Sequence, residues 1–141
     1  MKNGATQRSA GATIFAVILG WLGVAGVLNA VAWPLIRNSE LMKSAPADFI
    51  ARFPPALGSW WLSLLAFAYG VSALWAARAL WRMSPSAVTS YGAWAVTVVL
   101  VAMVLSVVTP GVSVAAAAAF LVPVLALLAG GWLLTRRLVH A

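Results

Sequence analysis

The stretch Ser59–Arg82, SWWLSLLAFAYGVSALWAARALWR, decides the fold. At positions 59, 63, 66, 70, 73 and 77 it carries Ser, Ser, Ala, Gly, Ala and Ala. Steps of four and three hold one line on a helix surface. Every residue on that line is small, while the other faces carry Leu, Phe, Trp and Val. A helix of this kind is made for close approach by another helix inside lipid, where packing replaces a hydrophobic driving force. Ser63, Ala66, Gly70, Ala73 and Ala77 are therefore the expected packing residues of this segment.

Outward from it, the charges are segregated. Residues 9–36, 53–77 and 83–135 contain no Asp, Glu, Lys or Arg. A spanning helix needs about 20 apolar residues, so the first two gaps hold one span each and the third holds two. The expected spans are 12–36, 59–80, 87–109 and 112–135, in one four-span domain covering 1–141. The whole chain is 64% hydrophobic and 8% charged, whereas about a quarter of the residues in a soluble domain are charged. The expected fold is all-α: an antiparallel four-helix bundle in the membrane.

The N-terminal tail, MKNGATQRSA, is polar and positive, as in a signal peptide. The apolar run after it is too long for a signal core, and Leu28-Asn29-Ala30 is a poor cleavage triplet. The reading is an uncleaved first span. Its small residues also form a line, Ala12, Ala16, Gly20, Gly23 and Ala30, with Val27 as the exception. Spans one and two are expected to pack on each other through these two lines, which include Gly20, Gly23 and Gly70. A leucine at Gly70 would push them apart.

The only substantial loop is 37–58, with both acids of the chain, Glu40 and Asp48. Ser44 is the expected cap of a short helix, with Pro46 in its first turn and Asp48 near its positive end. Phe49, Ile50 and Phe53 would share one face, and Pro54-Pro55 would end it. This reads as a helix lying on the membrane surface, with an irregular connection as the alternative. Ser84-Pro85 and Thr109-Pro110-Gly111 mark the other two turns. Pro123 falls inside the fourth span, where a kink is expected.

Lys2, Arg8, Arg78, Arg82, Arg136 and Arg137 fall on one side of this arrangement, against Arg37, Lys43 and Arg52 on the other. The positive-inside rule then puts both termini in the cytoplasm. Arg78, Arg82, Arg136 and Arg137 are expected to meet lipid headgroups. The net charge of +7 sits in short clusters between apolar runs and offers no basic face for nucleic acid. Abundant Ala and a preference for Arg over Lys resemble the usage of a GC-rich bacterial genome. The expected location is a bacterial inner membrane.

Chemistry is scarce. No span contains Asp, Glu, Lys or His, so nothing at mid-membrane can load and release a proton. There is no Cys. One His and two distant acids cannot make a metal site within one chain, and no cofactor is implied. The expected protein is not an enzyme. It acts through contacts with lipids and with other membrane helices, its own or a partner subunit's. The alternative is a small transporter or binding protein for an apolar or aromatic compound, uncoupled to any intramembrane carboxylate. Five residues are candidates for a polar cluster or such a pocket. Asn29 and Ser106 (with Ser63) fall in one outer layer, Tyr69 and Thr97 near mid-membrane, and Trp94 deeper than an interfacial belt. Trp21 is equally deep. In span number and compactness the chain is similar to the small multidrug resistance transporters. Those carry a Glu in the first span; Ala16, Gly20 or Gly23 stands there here, so their mechanism is not carried over.

Overall fold

The computed structural model describes residues 9–52, 55–109 and 111–140. Every element among these residues is helical, in the order α1 (Ala10–Arg37), α2 (Glu40–Lys43), α3 (Ala47–Ala51), a 3-10 turn (Pro55–Gly58), α4 (Trp60–Trp81), α5 (Ala87–Val108) and α6 (Val114–His140). Four of these helices, α1, α4, α5 and α6, are long and apolar enough to cross a membrane. This marks a membrane protein.

The caps explain the boundaries. Ser9 Oγ accepts from the Ala12 N–H at the start of α1. At the end of α4, the Ser84 N–H bonds back to the Ala79 carbonyl and the Met83 N–H to Leu80. That paired closure requires a left-handed residue between helix and turn, and Met83 adopts it with φ +50°. Gly111 does the same without steric cost after α5, at φ +81°. α6 runs unbroken through Pro123. In the loop the expected single helix is replaced by two short ones. Ser39, not Ser44, is the side-chain cap: it accepts from Met42 and starts α2. Ser44 closes α2 instead. Pro46 is the N-cap of α3 and not a first-turn residue; Asp48 lies in the first turn, as expected. Phe53 and Pro54 lie outside the described residues.

The most extensive helix contact is α1 with α4; α4 with α5 and α5 with α6 follow. The α1–α4 seam is a backbone contact. A Cβ built on Gly70 would fall 2.6 Å from Val27 N and 2.8 Å from Gly23 O. One on Gly26 would fall 2.6 Å from Tyr69 Cδ1 and 2.8 Å from Gly70 Cα. Gly23 is similarly blocked by Leu74 and the Gly70 carbonyl. The buried line on α1 is Ala12, Ala16, Leu19, Gly23, Gly26 and Ala30. It therefore runs through Gly26 rather than Val27. Gly20 lies at its edge, in ordinary contact with Ala77. On α4, Gly70, Ala73 and Ala77 are buried, whereas Ser63 and Ala66 are only half-buried.

The core is not spread evenly along the helices. It gathers Ala16 and Leu19 of α1, Ala73, Ala76, Ala77, Ala79 and Leu80 of α4, Ala87, Tyr91 and Trp94 of α5, and Leu128 of α6. These belong to the end that carries Arg78, Arg82 and Arg136, here called the arginine end. Tyr91 fills the centre: its ring lies 5.7 Å from Phe15 and 5.3 Å from Trp94, and its hydroxyl donates to the Leu128 carbonyl at 3.2 Å. At the opposite end, which holds α2 and α3 (the loop end), α6 separates from the rest. Residues 114–127 of α6 include no buried side chain, and its most apolar window is wholly unburied.

Candidate functional site

Where α6 leaves, the groove between α1 and α5 stays unfilled over α4. It holds a cavity of about 490 Å³. α1 supplies Leu22, Ala25, Gly26, Asn29 and Trp33 to one wall. α4 supplies Leu62, Ser63, Ala66 and Tyr69 to the floor, and α5 supplies Val101 and Leu105 opposite α1. Leu57 of the 3-10 turn lines the loop end. The void follows from side-chain size. Nearer the arginine end, Tyr91 and Trp94 occupy the same groove; here the facing residues are Ala, Gly, Val and Leu. The volume lies within the range of small-molecule sites.

No ionisable side chain other than the Tyr69 phenol lines the cavity. Its polar edges are Asn29, Ser63, Tyr69 and the indole of Trp33. Ser63 Oγ bonds to the Ser59 carbonyl of its own helix. The Asn29 amide lines the space with no hydrogen bond to a described residue. An amide at that depth is costly in hydrocarbon without a partner.

The expected polar cluster is only partly assembled. Asn29 and Ser63 share the cavity. Ser106 does not join them: it bonds to Ala102 of its own helix at 2.8 Å and is not part of the lining. Tyr69 lines the cavity and packs on Trp94, ring centroids 6.2 Å apart, but Trp94 itself is buried and is not part of the lining. Thr97 ties α5 to α4 through Ser72 at 3.1 Å. Trp21 points away from the packed helices and is 73% exposed. Ser63 and Ala66, expected in the packing line, serve as cavity floor. Arg78, Arg82, Arg136 and Arg137 are all exposed, and Arg136 lies over the Trp132 ring at 5.7 Å.

Gly26, Trp33, Leu57, Val101 and Leu105 were not singled out from sequence as site residues. Gly26 had a signal: Gly20, Gly23 and Gly26 repeat at intervals of three. The others had none, because the cavity depends on where α6 does not go. No protein-family model, curated protein or solved structure matches this chain. The site therefore stands on its own geometry.

Proposed function

We propose that this protein binds an apolar or aromatic small molecule in the α1–α4–α5 cavity and performs no chemistry of its own. It does so as an antiparallel four-span bundle in a bacterial inner membrane, both termini cytoplasmic. The cavity carries the reading: apolar walls, a few hydrogen-bonding groups at one edge, and a volume of about 490 Å³. Among the small-residue lines, Gly23, Gly26, Gly70 and Ala73 are used within the chain, which weakens their claim on an outside partner. The antiparallel arrangement is supported by the α1–α4 contacts, in which Gly20, Gly23 and Gly26 meet Ala77, Gly70 and Tyr69 in turn. The orientation rests on the Lys and Arg distribution.

A second reading keeps an accessory or oligomeric subunit acting through helix contacts. The unburied window of α6 favours it, because that helix is free to meet another.

The test uses purified protein in lipid nanodiscs, titrated with N-phenyl-1-naphthylamine, an uncharged aromatic fluorophore. Saturable binding is expected. It should be lost when Leu105→Trp fills the cavity, with the melting temperature kept or raised. Binding that never saturates, or that is the same in Leu105→Trp, overturns the reading.

A further inference from the structure

We infer that the cavity's ligand is an anionic amphiphile, with its apolar chain between α1 and α5 and its acidic head at Arg37. The inference rests on the binding reading above and adds the chemical class.

Arg37 is the last residue of α1. It follows Trp33 by four residues, and Asn29 and Trp33 both line the cavity. One further turn along that wall therefore arrives at Arg37. Leu57 lines the cavity's loop end, and Arg37 lies against the next residue, Gly58. A Cβ there would fall 3.1 Å from Arg37 Cγ and 3.2 Å from Asn38 Oδ1. Glycine at 58 lets the arginine stem rest on the turn whose Leu57 lines the cavity.

The charge is uncompensated. Glu40, the nearest acid in sequence, is held by Lys43 at 2.5 Å. That is the one ion pair among the described residues. Arg37 Nε is buried and has no hydrogen-bond partner. An ordinary interfacial arginine extends its head into water or headgroups; here one of the five guanidinium donors is withdrawn from both. The four Nη donors are not among the buried ones, and carboxylate and phosphate fit that guanidinium fork. The cavity lining carries no charge at neutral pH, so only an apolar chain suits the space below. Tail and head requirements lie end to end along α1.

The experiment is photo-crosslinking in phosphatidylcholine nanodiscs at alkaline pH. The probes are a diazirine-bearing 16-carbon fatty acid and its methyl ester. Labelling is mapped by peptide mass spectrometry on 62–69, and compared with 122–127 of α6, which line no part of the cavity. Both probes should favour 62–69. The acid should exceed the ester about tenfold, the scale of one charge-assisted hydrogen bond. Arg37→Gln should remove that excess and leave ester labelling unchanged, and Arg37→Lys should keep most of it. Equal labelling by acid and ester, or an excess that survives Arg37→Gln, overturns the acidic-head inference and leaves the cavity as a binding site. Labelling of 62–69 no stronger than of 122–127, by both probes, overturns the binding reading itself. Displacement of the acid by sodium phosphate alone would assign Arg37 to a free anion and also overturn the amphiphile. If Arg37→Gln fails to fold, the acid-to-ester ratio in the wild type and in Arg37→Lys still decides.

Discussion

Gly70 and Gly20 belong to the same seam but differ in what a methyl group would meet. At Gly70 the obstacles are backbone atoms of α1, which cannot rotate aside; at Gly20 the nearest atom is the Ala77 methyl at 3.9 Å. Gly70→Ala should therefore lower stability by about 1–3 kcal/mol, the range for overpacking a tight contact. Gly20→Ala should change it by less than about 0.5 kcal/mol. Thermal unfolding in one detergent, read by circular dichroism, compares the two. Equal melting temperatures would mean that α1 and α4 are not in backbone contact. A second residue works in the opposite direction. Met83 holds a left-handed conformation in the closure of α4, which costs an L-residue about 1 kcal/mol. Met83→Gly removes that cost but gives up some unfolded-state restriction. A net gain of about 0.5 kcal/mol is expected, and the same melting assay would register it. A loss would mean that the Met83 side chain contributes more by packing than its backbone costs.

Four elements were legible because charge marks membrane depth. The gaps at 9–36, 53–77 and 83–135 bracket helices whose ends lie within a few residues of the expected ones. The face of each helix was less legible. From Gly23, steps of three and four reach Gly26 and Val27, and a period of 3.6 does not choose between them. The partner chooses: Gly70 sits where only Gly26 permits the approach. The loop was misread at Ser44 because two serines, 39 and 44, precede short helical stretches. The cap went to the one followed by Glu40, whose charge suits a helix start. Of the cavity, Asn29 and Tyr69 were legible as polar groups that need partners in lipid; its walls were not, since α6 departs there and no periodicity reports a missing contact. That departure is testable at the level of the helix. Leu128 is buried against the α5 side, while its neighbour Leu127 is 76% exposed. Leu128→Ala should cost about 2 kcal/mol, and Leu127→Ala less than about 0.5 kcal/mol. Equal costs would mean that α6 is packed on both sides, which would close the groove.

For the whole molecule the lengths and the charges agree on one placement. α4 and α5, of 22 residues each, rise about 33 Å and match a hydrocarbon core of about 30 Å. α1 and α6, of 28 and 27 residues, are longer. Their excess carries Arg37 past one face of the core and Arg136 with Arg137 past the other. The proposed placement then lets each arginine reach headgroup depth without tilting its helix. The loop end holds Arg37, Lys43 and Arg52; the arginine end holds Arg78, Arg82, Arg136 and Arg137 close to the span ends, where the positive-inside bias acts. The chain has no cysteine, so single cysteines report position without background. Ala45→Cys, Ser84→Cys and His140→Cys fall in the loop, the α4–α5 turn and the end of α6. In intact cells a membrane-impermeant maleimide should label only Ala45→Cys. After permeabilisation it should label Ser84→Cys and His140→Cys as well. Labelling at 84 and 140 but not 45 in intact cells would invert the protein and put the cavity in the cytoplasmic half. Labelling at 84 without 140 would break the even number of crossings. Either result would overturn the proposed placement of Arg37 at the outer surface.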